Sequence, residues 1–188
     1  MIPGHIFREY DIRGLHETEL TDPLAEAVGR AFATLIREGA DGVGSGGHRI
    51  ALGRDIRPSS VRLAEAVERG VRAAGVVVDR VGVVPTPALY YAVVESGADG
   101  GLQVTGSHNP SEFNGFKMTR RHLPLFGAEI QTMRERIASD DLARAPQPAP
   151  ATDRPILDAY AAMLVERLRS PRRLKVVMDC GNGCAGTV

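Results

Sequence analysis

Between Arg49 and Thr105 the chain alternates short apolar, β-branched runs with segments of helical period, and this alternation restricts the fold more than any other feature. Arg49–Gly53 (RIALG), Val76–Val84 and Gly101–Thr105 (GLQVT) read as strands. Between the first two, a helix starting at Ser59 or Ser60 and running through Ala74 sets Leu63, Val67 and Val71 on one side. Between the last two, Thr86-Pro87 opens a helix that reaches about Ser96. Strand–helix–strand–helix–strand with short connections calls for right-handed crossovers. The expected class is α/β, with a mostly parallel, mixed sheet and helices on both of its faces.

The flanking segments extend that pattern. Asp22 suits a cap and Pro23 the first position of a helix running to Glu38, in which Leu24, Val28, Phe32 and Leu35 make one apolar stripe. The helix stops at Gly39, and Asp41–Gly47 (DGVGSGG) has almost nothing to bury. Phe113–Thr119 reads as a further strand and Gly127–Ala138 as a helix. Arg144–Pro155 carries Pro146, Pro148, Pro150 and Pro155, which block both ladder and helix, so a linker is expected there. A helix from about Ile156 to Arg169 and a strand over Leu174–Met178 follow, leading into Asp179-Cys180-Gly181-Asn182-Gly183. A strand with nothing after it does not make a domain. The expected organisation is a first domain over residues 1–145, a linker over 146–155 and the truncated start of a second, similar domain over 156–188. The chain is therefore expected to be a fragment.

Composition removes several classes of function. The 23 Lys and Arg residues balance 23 Asp and Glu, so the basic excess of a nucleic-acid binder is missing. No run of 18 apolar residues exists, which argues against a membrane-spanning helix. The N-terminus holds Arg8, Glu9, Asp11 and Arg13 in place of the apolar region of a signal peptide, so a cytoplasmic location is expected. Cys180 and Cys184, four apart and without further ligand pairs, read as reduced thiols; a disulfide framework or a zinc site would need more.

The chemistry concentrates in Thr105-Gly106-Ser107-His108-Asn109-Pro110, followed by Asn114-Gly115-Phe116-Lys117. In open α/β sheets, ligands bind in loops at strand ends, and Ser107 follows a strand directly. Its hydroxyl can be exposed there while nearby backbone N–H groups hold an anion. His108 and Asn109 add hydrogen-bonding groups, and Lys117 adds a mobile cation or proton carrier. The bland alternative is an ordinary turn with a solvated lysine. Adjacent Ser and His do not make a triad, whose partners meet in space, and TGSHN is not the GxSxG elbow of a serine hydrolase.

VTGSHNPSEFNGFKMT closely resembles the active-serine loop of the α-D-phosphohexomutases, of the phosphomannomutase/phosphoglucomutase type. The resemblance extends, in the expected order, to Phe7-Arg8-Glu9-Tyr10-Asp11-Ile12-Arg13-Gly14, to Gly53-Arg54-Asp55-Ile56-Arg57-Pro58-Ser59-Ser60, to Leu123-Pro124-Leu125-Phe126-Gly127, and to Asp179–Gly186, which is similar to the start of that family's second domain. The first domain would then be the family's domain I. The resemblance implies an enzyme, an isomerase acting by phosphoryl transfer, in which a phosphorylated Ser107 donates to a hexose 1-phosphate. A hexose 1,6-bisphosphate turns around in the site and returns its other phosphate, leaving hexose 6-phosphate. By motif position, Lys117 becomes a proton-transfer or electrostatic partner, Arg13 a cation against the phosphoserine, Tyr10 a shaper of the site, and His108 and Asn109 contacts to the phosphoryl group or the sugar. Arg54 and Arg57 are either cations of the phosphate site or a brace with Asp55 that holds the loop.

The resemblance also implies Mg²⁺, with Ser107 as its ligand through the phosphate and the remaining ligands absent from this chain, and glucose 1,6-bisphosphate as activator. A phosphosugar is the implied partner, and the protein would be a monomer or weak dimer. Lacking the metal and sugar loops, the chain alone is expected to be inactive. Gly181-Asn182-Gly183 reads as a turn rather than a phosphate cradle, since it fits neither GxGxxG nor the P-loop. His5, His16, His48 and His122 show no ligand spacing. Phosphoglucosamine mutase is the rival within the family; its GTDGIRG-like start and (S/T)ASHNP loop differ from REYDIRG and TGSHNP. A non-catalytic phosphosugar-binding or interaction module is the rival outside it.

Overall fold

The computed structural model describes residues 2–39, 47–121, 123–168 and 172–188. Residues 41–46 of the expected loop, His122 and Arg169 lie outside them. Strands β1 (Ile12–Leu15), β2 (Arg49–Arg54), β3 (Val77–Val83), β4 (Gly100–Val104), β5 (Phe113–Arg120), β6 (Leu123–Pro124) and β7 (Ala151–Asp153) form one sheet among the described residues. Its order is β1-β5-β4-β2-β3-β7, with β6 on β5. The pairs β2–β3, β2–β4 and β3–β7 are parallel, while β1–β5, β4–β5 and β5–β6 are antiparallel. The sheet is thus mixed, its parallel part being the one that the alternation from Arg49 onward dictates.

Successive side chains of β2 point to opposite faces and enter different cores. Ile50 and Leu52 join the larger core, built with Val28 and Phe32 of helix α1 (Asp22–Glu38), Leu63 and Val67 of α2 (Pro58–Ala73), and Ile130 and Met133 of α4 (Ala128–Ser139). Ala51 joins the smaller one, with Ala88 and Leu89 of α3 (Thr86–Ser96), packed against Leu157 and Tyr160 of α5 (Leu157–Arg167). Helices therefore cover both faces. Two glycines let α1 and α2 approach closely: a Cβ at Gly29 would overlap the carbonyl of Val67, and one at Gly70 the carbonyl of Glu26.

Three expectations change. Thr21, not Asp22, caps α1: its Oγ1 accepts the N–H of Leu24 at 3.4 Å. The proline-rich segment is not a free linker, because β7 lies within it as a parallel edge strand on β3. Its prolines flank the strand, at Pro150 and Pro155, and an edge needs ladder bonds on one side only. Side chains fasten it: Arg72 Nε donates to Ala149 O at 2.7 Å, Arg80 pairs with Asp153 at 3.2 Å, and Asp79, fully buried, sits between Arg49 and Arg154. Finally, Leu174–Met178 is not a strand. An isolated extended run has no ladder to join, and its side chains stay exposed, Val177 at 94%.

Candidate active site

Strands β1, β5 and β4 lie side by side: β1 carries Arg13, β5 carries Lys117 within its length, and the serine loop follows β4. The loop leaves β4 at Thr105, which is buried, and emerges at Ser107, which is exposed. Ser107 has φ 54°, in the left-handed region that a residue with a side chain rarely occupies. Its Oγ lies 3.3 Å from His108 Nδ1.

The loop is tied from beneath by Asp55 and Arg57. Asp55 is 6% exposed and accepts bonds at both carboxylate oxygens. Oδ1 takes Ser60 Oγ at 2.5 Å and the N–H of Arg57 at 3.0 Å; Oδ2 takes Thr105 Oγ1 at 2.9 Å and the N–H of Gly106 at 3.1 Å. Buried charge is tolerated only with such partners. Arg57 Nε pairs with Asp55 at 3.3 Å. The rest of its guanidinium donates to four carbonyls of the loop, those of Ser107, Asn109, Pro110 and Phe113, at 2.5–3.2 Å. Gly106 is small because Arg57 lies against it: a Cβ there would come within 2.5 Å of the guanidinium. Asn114, fully buried, donates to Ser59 and Ser60 and so joins β5 to the start of α2.

A second hub supports the cations. One oxygen of Asp11, Oδ2, accepts Arg13 at 2.6 Å and Lys117 at 3.0 Å. The same guanidinium reaches Asn109 Oδ1 at 2.6 Å, so one chain of bonds runs from Lys117 through Asp11 and Arg13 into the serine loop. Ser107 faces a cavity of about 580 Å³ whose walls are Asp55, Arg57 and Thr105 on one side and Gly181–Ala185 on the other. A larger groove of about 1090 Å³, beside the starts of α1 and α2, touches the loop at Ser111 but does not include Ser107. Burial pushes the Cys184 thiol up, and the charge of Asp55 adds to it, so this thiol stays protonated. Both cysteines are free.

Residues 4–144 match the family model described as phosphoglucomutase/phosphomannomutase, alpha/beta/alpha domain I. The chain belongs to that family. It is 40% identical over 187 residues to the phosphomannomutase/phosphoglucomutase of Pseudomonas putida, covering all of this chain and 39% of that protein. To the phosphoglucomutase of Neisseria gonorrhoeae it is 39% identical over 185 residues, covering 98% of this chain and 39% of that protein. A crystal structure of a phosphoglucomutase/phosphomannomutase family protein from Burkholderia thailandensis aligns at TM-score 0.89 and 37% identity, over 100% of this chain and 41% of that one. The chain thus spans about two-fifths of the length of the relatives it matches.

For a phosphoglucomutase/phosphomannomutase domain I, the structure sorts the sequence-derived residues. Ser107, His108 and Asn109 share the loop, Arg13 joins them through Asn109, and Lys117 through Asp11 and Arg13. Arg57 is engaged as the brace described above. Arg54 lines a separate cavity, between α2 and β3, with Glu68 and Arg80. Tyr10 is 71% exposed beside Asp11. The sequence reading gives no role to Asp11 or Thr105 and offers Asp55 only as a brace with the arginines; the available signal for the two acids is the Asp-Ile-Arg that YDIRG and GRDIR share. Among the described residues no group of three or more His, Cys, Asp or Glu could hold a metal ion. These residues alone do not make a Mg²⁺ site.

Proposed function

We propose that Ser107 carries a phosphoryl group and that the whole protein interconverts hexose 1-phosphate and hexose 6-phosphate, of glucose, mannose or both. The observation that carries this reading is an exposed left-handed serine with two cations on the neighbouring strands, Arg13 bonded to its loop at Asn109 and Lys117 joined to Arg13 through Asp11. Phosphoryl transfer demands positioning and charge stabilisation above all, and those are what Arg13, Lys117 and the braced loop supply. A sugar hydroxyl attacks the phosphorus of phosphoserine, the P–Oγ bond breaks, and the hydroxyl proton ends on Ser107 Oγ. Lys117 is the group we assign to move that proton or to balance the charge, with Asp11 fixing where it stands. Reversal through a hexose 1,6-bisphosphate recharges Ser107, and glucose 1,6-bisphosphate is the species that loads it first. The family is generally Mg²⁺-dependent, and what this chain would offer the ion is the phosphoryl oxygens on Ser107.

We also assign residues 156–188 to the opening of a second domain. In support, the family model for domain I stops at residue 144, whereas the relatives match over the entire chain.

The test is conversion of glucose 1-phosphate and mannose 1-phosphate by the protein in its longest native form, with Mg²⁺ and a trace of glucose 1,6-bisphosphate. Ser107→Ala should lower turnover by about a thousandfold or more. A folded protein without activity on either sugar sinks the proposal.

A further inference from the structure

We infer that Thr105 and Asp55 form a hydrogen-bond relay that sets the backbone of the reacting serine, making both of them positioning residues. The chemical consequence rests on the phosphoserine reading; the relay itself rests on geometry. A serine at φ 54° persists only where its surroundings over-determine it. Here they do so at both of its peptide groups. The Ser107 N–H donates to Thr105 Oγ1 at 2.9 Å, and its carbonyl accepts from Arg57 at 3.2 Å.

The direction of the first bond is dictated one step further back. A threonine hydroxyl has one proton and two lone pairs, and it could equally present either to its neighbour. Thr105 gives that proton to Asp55 Oδ2 at 2.9 Å, and a carboxylate acting as acceptor leaves it no other choice. A lone pair of Oγ1 is then turned to the Ser107 amide. Asp55 is itself fixed, since its other oxygen is held by Ser60 and the Arg57 amide. Thr105 is 7% exposed, so water does not compete freely for these bonds.

Two things follow for the site. The Ser107 amide is turned inward and is not a donor to the transferred phosphoryl group, in contrast to a cradle in which the serine's own N–H holds the anion. The side chain is turned outward, which leaves Oγ toward the cavity. The position needs a hydroxyl. Serine keeps the relay, whereas valine, of nearly the same shape, breaks it.

Amide hydrogen exchange on the ¹⁵N-labelled 188-residue chain tests this without any need for activity. In the wild type the Ser107 amide should exchange more slowly than the exposed His108 amide beside it. Thr105→Val should speed Ser107 exchange about tenfold, with Thr105→Ser close to wild type. Resonances of Val28 and Ala31 in α1 report whether each variant remains folded. In parallel, in the longest native form of the protein, phosphoryl uptake by Ser107 from glucose 1,6-bisphosphate with Mg²⁺, followed by intact mass, should slow in Thr105→Val and recover in Thr105→Ser. A wild-type Ser107 amide that exchanges like a free loop amide overturns the relay, with no variant required. So does a folded Thr105→Val chain whose Ser107 exchange is unchanged. A wild type with the protected amide but no phosphoryl uptake supports the relay and counts against the phosphoserine reading instead.

Discussion

The two walls of the Ser107 cavity are held in opposite ways. On one side, Asp55, Arg57 and Thr105 bond to groups 50 or more residues away in sequence and stand on a core of fully buried side chains. On the other, the Gly181–Ala185 segment is held by local bonds: Gly181 N–H to Asp179 at 2.8 Å, Gly183 N–H to Cys180 O at 2.9 Å, and Thr187 to Cys184 O at 2.6 Å. None of the described residues of α5 is buried, and Val176, Val177 and Met178 lie in the open. Local bonds shape a turn, but long-range packing stabilises it, so the two walls should differ widely in resistance to opening.

The largest difference should come from truncating an apolar side chain in each region. Phe32→Ala, in the fully buried core, is expected to cost about 4 kcal/mol in urea unfolding, whereas Val177→Ala should stay within about 0.5 kcal/mol. Equal effects would break the contrast. Gly70→Ala comes next, at about 3 kcal/mol, because the added methyl meets the Glu26 backbone and helix α1 must shift. Tryptic digestion sharpens the picture without mutation. Cleavage at Lys175 should run at least about tenfold faster than at any site within residues 4–144, leaving a resistant fragment.

The smallest effect concerns Glu68, which joins α2 to Arg80 of β3. The Arg80 hydrogen bond, against an opposing desolvation, holds the Glu68 carboxyl below its ordinary 4.5. A lowered folded-state pKa means that the pair's contribution is complete above 4.5 and is lost as pH falls through the folded value. Relative to Glu68→Gln, the wild type should therefore lose stability below about pH 4.5, by under about 1 kcal/mol, in urea titrations at stepped pH. A constant difference across that range would show that the pair contributes nothing through its charge.

Much of the fold was legible because local pattern and tertiary partner agree. The helices α1 and α3 run over the residues that their apolar spacing and proline-led starts indicate, and β2, β3 and β4 fall within a residue of their apolar runs. Leu174–Met178 has the same β-branched character as those strands yet forms none, since a strand exists only with a ladder partner. The converse holds for Ala151–Asp153, where Thr152 is the one strand-favouring residue and the segment pairs because β3 has a free edge beside it. Gly29 and Gly70, inside α1 and α2, find their reason only in the opposite helix.

By itself the sequence determined the α/β class, the order of the elements and the family's serine loop, because each is written in residues close together in the chain. Tertiary structure decided which groups fasten that loop. Lys117 meets Asp11 across 106 residues and Thr105 meets Asp55 across 50. Such pairings arise only when β1, β5, β4 and the end of β2 come side by side, and no local periodicity encodes the bonds that buried polar groups must then find.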